Sequence, residues 1–282
     1  MMGNGTGIGA AGFGLIAALS WGTSDFTGGV AAKRIPVFAV MAGSYSIGLV
    51  LLVALALARG ESAPAPADLA WAAAAGVVGG GGLTAHYRGL AVGRMGVVAP
   101  VAAVIGTAIP VLFGAAAEGL PGGAQMAGFA LALIGVWLVS RRAGSGDGPS
   151  GLGLAVLAGL GFGSFFVLID RVSQDAVFWP LAAARSASLI ALLAVALANG
   201  RAWRPPRHAL GIVALAGVLD VGGNTFFLLA AQAGRLDVAS VLSSLYPAIT
   251  VLLARGLLGE HIARWQGMGI VAAVIAVPLI AS

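Results

Sequence analysis

Few residues in this chain could do chemistry, and each stands in apolar surroundings. Asp25 falls in the stretch Ser20-Trp21-Gly22-Thr23-Ser24-Asp25-Phe26-Thr27-Gly28-Gly29, eight residues ahead of the first basic pair, Lys33-Arg34. A carboxylate in such a run is a proton carrier, a contact for a substrate amine, or half of a structural ion pair, for which Arg88 is the expected partner. His86 and Arg88 occur in Thr84-Ala85-His86-Tyr87-Arg88. Imidazole is the side chain that exchanges protons near neutral pH, so His86 joins Asp25 as a proton-coupling candidate, with a hydrogen-bonded packing histidine as the plain alternative. Arg88 either grips a substrate carboxylate through two parallel hydrogen bonds or snorkels to interfacial phosphates near Arg94.

In the second half, Asn224 follows Asp220 by four residues, which puts both on one helix face. Its amide donates and accepts, as a zwitterion requires, and Gly222 and Gly223 thin the wall beside it. An interhelical hydrogen bond is its other use. Ser243, Ser244 and Tyr246 place hydroxyls just before Pro247, whose missing N–H frees a backbone carbonyl; the hydroxyls bind a ligand there or satisfy freed backbone groups. Pro247, Pro100 and Arg185 are the gating candidates. Arg185 alternatively contacts an anion or pairs with Asp170 or Asp175. Trp21 and Phe162 are candidates for aromatic walls, with core packing as the alternative, and Thr23 adds a hydroxyl beside Trp21. The candidate substrate-binding set is therefore Trp21, Thr23, Asp25, His86, Arg88, Phe162, Asn224, Ser243, Ser244 and Tyr246. Glu118 and Glu260 read as span-boundary or helix-cap residues.

No catalytic constellation, cofactor motif or metal-ligand set is expected. Gly7-Ile8-Gly9-Ala10-Ala11-Gly12 matches G-x-G-x-x-G but follows no strand, so it is not a dinucleotide site. Gly79-Gly80-Gly81-Gly82 lacks the Lys-Ser/Thr of a phosphate-binding loop, and no G-x-S-x-G elbow occurs. The absence of cysteine rules out disulfides and thiolate chemistry.

The elements that must position these residues follow from composition. Of 282 residues, 59% are hydrophobic and 9% charged, against about 25% charged in soluble domains. Lipid is the solvent such a surface fits. The net charge of +5 reflects basic residues in short gaps between apolar runs, as membrane topology dictates, and no basic, aromatic-interleaved face for nucleic acid is present. The N-terminus has no Lys or Arg before Lys33, which makes its apolar run a retained span and not a signal peptide.

Punctuation by charge, Pro and Gly predicts ten spans, at 8–31, 37–58, 69–92, 95–116, 123–140, 150–170, 177–199, 208–233, 236–256 and 264–281. A shift of 141 residues aligns two halves. It brings Trp21-Gly22-Thr23 onto Phe162-Gly163-Ser164, Gly76-Val77 onto Gly217-Val218, Gly93-Arg94 onto Gly234-Arg235, and Gln125 and Gly128 onto Gln266 and Gly269. Domains at 1–142 and 150–282, joined by a linker at 143–149, are expected. Five spans per half is odd, so the second half enters the membrane inverted. Inverted repeats are a transporter architecture with the substrate near the midplane between them. The expected fold is thus an all-α integral membrane protein, ten transmembrane helices in two inverted five-helix repeats. Eleven of the 15 basic residues fall on the side away from the termini, which makes that side cytoplasmic and puts both termini outside.

Over essentially its whole length the sequence resembles the EamA-type drug/metabolite transporter superfamily. Trp21-Gly22, Arg88-Gly89-Leu90-Ala91-Val92-Gly93, Pro100, Leu242-Ser243-Ser244-Leu245-Tyr246-Pro247-Ala248-Ile249-Thr250, Leu258-Gly259-Glu260 and Gln266-Gly267-Met268-Gly269 carry the likeness. Ala117-Glu118-Gly119 departs from the usual Gly-Glu pair. The resemblance implies a central cavity lined by spans 1, 3, 4, 6, 8 and 9, with 2 and 7 as moving walls and 5 and 10 as peripheral support. It also implies small organic substrates such as amino acids and related solutes, export in many members, often driven by protons, and an arginine near Arg185. Family members often keep both termini in the cytoplasm, opposite to the charge count.

The expected function is a secondary active exporter of small organic metabolites in the plasma membrane, multi-pass, working by alternating access around a midplane cavity. Its partners are the solute and the lipid bilayer. One chain suffices to form the cavity, and a homodimer is compatible with the sequence. The competing readings are a flippase for lipid or a lipid-linked carrier, a channel, and an intramembrane enzyme, for which Ser164 with His86 is an imaginable dyad without a supporting motif.

Overall fold

The computed structural model describes residues 3–92, 95–139, 151–172, 176–258 and 264–280, with the side chains of some helical residues, Pro100, Glu118 and Gln266 among them, outside that description. The expected linker at 143–149 and Arg94, Asp175 and Glu260 also lie outside it.

The helices are α1 (Gly3–Ala32), α2 (Val37–Arg59), α3 (Pro66–Val92), α4 (Met95–Glu118), α5 (Gly123–Val139), α6 (Leu152–Ile169), α7 (Phe178–Ala198), α8 (Leu210–Ala233), α9 (Leu236–Ser243), α10 (Tyr246–Leu258) and α11 (Arg264–Ile280). They make ten spans, because α9 and α10 are two pieces of the ninth. Four helical stretches among the described residues, Val37–Arg59, Leu152–Ile169, Phe178–Ala198 and Arg207–Ala233, are long and apolar enough to cross a membrane on their own terms; other apolar helices are shorter. Large apolar side chains such as Val50, Leu112, Ile190 and Val274 point outward and are more than half exposed, as a lipid-facing surface requires.

The ninth span, expected as one helix kinked at Pro247, is two helices, and the break precedes Pro247. The Leu245 N–H bonds back to the Leu242 carbonyl, a tightened final turn, and the chain restarts as α10 at Tyr246. Pro247 then occupies the first turn of α10, where its missing N–H would be unsatisfied anyway.

The packing repeats in pairs. α1 lies along α8 as α6 lies along α3; α1 meets α9 and α10 as α6 meets α4; α2 meets α8 as α7 meets α3. α2 against α7, and α5 against α11, pair each element with its own counterpart. That is the arrangement of two halves interlocked about a pseudo-two-fold axis. Close approach is enforced by matched glycines. A Cβ on Gly76 of α3 would fall 2.0 Å from the Ala184 carbonyl oxygen of α7, and one on Gly217 of α8, 141 residues later, 2.6 Å from the Ser44 carbonyl oxygen of α2. Hydroxyls then bridge the helices: Ser188 donates to the Gly76 carbonyl at 2.7 Å, Ser24 to that of Ala216 at 2.9 Å, and Thr250 to that of Gly22 at 3.0 Å.

Candidate functional site

A cavity of about 110 Å³ lies in the middle of the bundle. α1, α2 and α3 supply one side of it, and α6, α7, α8 and the start of α10 the other. Both halves therefore build it. The volume suits one small solute or a few waters.

One wall is aromatic. Trp21 of α1 and Phe162, Phe165 and Phe166 of α6 line the cavity. Trp21 lies 5.7 Å from both Phe166 and Phe227, and Phe166 stacks on Phe227 at 4.4 Å. Gly223 makes room for this, since a Cβ there would meet the Trp21 ring at 2.3 Å. Glycines 76, 79 and 80 of α3 complete a smooth face.

The opposite pole is polar. The Arg185 guanidinium pairs with the Asp220 carboxylate and lies over the Tyr45 ring at 4.6 Å. The pair is largely removed from solvent, with side chains 10% and 19% exposed. Asn224 donates its amide to the same carboxylate at 3.2 Å and to the Asp220 main-chain carbonyl at 2.7 Å. Asp220 is thus the hub of a satisfied network. Asp25 lines the same cavity, with no hydrogen-bond or ion-pair partner among the described residues. Tyr246 enters from the restart of α10.

Of the candidate set, the structure brings Trp21, Asp25, Phe162, Asn224 and Tyr246 together with Arg185. Others are placed elsewhere. Arg88 does not partner Asp25: it is exposed and lines a second cavity at the end of the bundle away from the termini. The expected Arg185 partner Asp170 gives way to Asp220, because helix pairing about the two-fold puts α7 and α8 on one cavity; Asp175 lies outside the described residues. His86 is buried behind Phe162, edge-on at 5.5 Å, and its Nδ1 has no partner among the described residues. No hydrogen bond joins it to Ser164 among the described residues. Thr23 donates to the Leu19 carbonyl at 2.8 Å. Ser243 and Ser244 are buried and donate to the Ala239 and Val241 carbonyls, so their hydroxyls serve the helix break. Pro100 lies in α4, its side chain outside the described residues.

Tyr45 and Phe166 were not singled out by the sequence, and Asp220 was noted only as a neighbour of Asn224. A tyrosine in an apolar helix reads as packing until a cation is seen over it. Glu61 was missed as well. Gly60, in left-handed conformation at φ 62, ends α2 and turns the chain. The Glu61 carboxylate then accepts the N–H groups of Val177, Phe178 and Trp179 at 3.1, 2.9 and 3.2 Å, and the Trp179 indole donates back to the Glu61 carbonyl at 3.0 Å. The end of α2 is thereby clasped to the N-terminus of α7 on the face that bears the chain termini. On that face Arg235, paired with Asp237, also donates to the Gly119 carbonyl at 3.0 Å.

Comparison with known proteins accords with this architecture. The model of the EamA-like transporter family matches residues 8–141 and again residues 149–282. No curated protein matches the sequence. Among the solved structures that match, one described only as "Crystal structure of protein" is 21% identical, covers 96% of this chain and 95% of its own, and has a TM-score of 0.75; that likeness speaks for the fold. With the family unit present in both halves, the chain belongs to the EamA-like transporter family, membrane transporters of small solutes.

Proposed function

We propose that the protein is a proton-coupled exporter of small amine-bearing organic solutes, such as amino acids or related compounds, and that Asp25 is the group that alternates between proton and substrate. One observation carries the reading. Asp25 is an acid in the shared cavity with no partner among the described residues, whereas the other acid, Asp220, is engaged by Arg185 and Asn224. An unpaired charge at this depth is costly, so Asp25 gains by taking either a proton or a substrate ammonium. The aromatic wall would receive the apolar part of the solute and favour a cation through its ring faces. Guanidinium N–H groups of Arg185 beyond those used by Asp220 would orient a substrate carboxylate.

The cavity volume of about 110 Å³ favours a small solute over a lipid, which weighs against the flippase reading. The basic residues at the ends of α1, α3 and α7 support a cytoplasmic placement of that face and a plasma-membrane setting with both termini outside.

The test is flux into proteoliposomes under an imposed pH gradient, with labelled amino acids and amines as the panel. The wild-type protein is expected to move a member of the panel with the gradient. Asp25→Asn is expected to lose gradient-driven flux while retaining its melting temperature. Undiminished pH-dependent flux in that variant, or no movement of any solute by the wild type, would sink the reading.

A further inference from the structure

At the end of the bundle opposite the Glu61 clasp, a second cavity of about 530 Å³ opens between the start of α2, the end of α3 and the turn that follows α7. Arg88 and Arg201 line it, and no acidic residue does among the described residues. Neither guanidinium has a hydrogen-bond or ion-pair partner among the described residues. A third donor set faces the same space. Pro36 caps α2 without any side-chain hydrogen bond, and the N–H groups of Val37 and Phe38, both lining residues, have no acceptor among the described residues at the positive end of a 23-residue helix.

The rim is of opposite character. Val37, Phe38 and Val195 make it apolar. Val195 is 51% exposed, and its neighbour Leu197 64%, so the cavity opens sideways toward the lipid-facing surface. A cationic pocket with an apolar edge at a membrane boundary matches a phosphate joined to acyl chains. Lys33, Arg34 and Arg207 on the same face would draw anionic lipid toward it.

We propose that this cavity binds the phosphate of an anionic membrane phospholipid, with Arg88 and Arg201 as its ligands. A free phosphate ester presents the same phosphate but leaves the apolar rim unused. The site is independent of the central cavity and of its substrate.

Lipid retention by the purified protein, read by native mass spectrometry from mixed micelles, tests the assignment. The wild type is expected to retain phosphatidylglycerol in preference to phosphatidylcholine. Arg88→Gln/Arg201→Gln is expected to retain phosphatidylglycerol about tenfold less or weaker still, because both guanidinium donors to the phosphate are removed. Arg204→Gln, which removes a nearby charge stacked on Trp203 and outside the cavity, is expected to leave retention unchanged. Should the double variant fail to fold, Arg201→Gln alone, outside any helix, carries the test. Wild-type retention by the arginine variants, an equal loss in Arg204→Gln, equal retention of phosphatidylcholine, or displacement of the lipid by glycerol phosphate at matched concentration would each overturn the proposal.

Discussion

Arg185 and Asp220 form an ion pair that joins α7 to α8, and each ion depends on the other for its presence at that depth. Removing one partner strands the other, which costs roughly 3 kcal/mol or more for a pair this buried. Replacing both by apolar residues of similar size removes the penalty. Asp220→Leu is therefore expected to lower the melting temperature in detergent sharply, and Arg185→Met/Asp220→Leu to recover most of the loss while leaving transport abolished. Equal destabilisation in the single and double variants would show that the pair is not what holds these side chains. At this scale the sequence was informative where a residue was chemically out of place. Asp25, Trp21, Asn224 and Tyr246 are conspicuous in an apolar run, and all reach the cavity. Pairing was not legible, because Arg185 and Asp220 lie 35 residues apart on different helices and nothing local links them. Arg88 misled for the same reason: depth along a helix says which level a side chain occupies, but not which face.

At the scale of helices, the repeat was the most legible feature. The 141-residue offset rests on the Arg94–Arg235 and Gln125–Gln266 matches as well as on glycines, and several of those glycines, Gly22 with Gly163 and Gly76 with Gly217, are where helices touch. Gly76 and Gly217 each bring a neighbouring carbonyl closer than any Cβ tolerates. Backbone cannot yield as a flexible side chain would, so overpacking of about 1–3 kcal/mol or more is the consequence. Gly76→Ala, with the closer approach, is expected to be the more damaging and Gly217→Ala the less, in thermal unfolding. Gly81, further along α3, has open space where a Cβ would stand, and Gly81→Ala is expected to be neutral or slightly stabilising through reduced backbone entropy. A similar loss at all three positions would mean that glycine content, and not close approach, sets the packing. The break in the ninth span was only half legible. Pro247 signals a discontinuity, but its position follows from the tightened turn at Ser244 and Leu245 and the buried hydroxyls that bond back to carbonyls around it, which no single residue announces.

For the whole molecule, alternating access requires that one face be held while the other yields, and the bonds across each face decide which. On the face bearing the termini, the Glu61 carboxylate takes three main-chain N–H groups at the positive end of α7, an arrangement that combines charge-assisted hydrogen bonds with the helix dipole. On the proposed exporter cycle, with α2 and α7 as the moving walls that the family resemblance implies, the clasp would bias the molecule toward keeping that face closed. Glu61→Gln keeps the shape and removes the charge. A loss of even about 1.4 kcal/mol from the closed state shifts the open-to-closed ratio tenfold. The chain has no cysteine, so one introduced thiol reports without background. Ser188 lines the central cavity, and Ser188→Cys is nearly isosteric. In that background Glu61→Gln is expected to raise the rate of labelling by a membrane-impermeant maleimide applied to the face of the termini by about tenfold, with no gain from the other face. An unchanged rate would mean that Glu61 caps a helix and nothing more. Faster labelling from both faces would mean that the variant loosens the bundle instead of releasing one gate. A rise confined to the one face would tie the opening of the cavity to a single carboxylate some distance from it, in a loop whose local sequence gives no sign of that role.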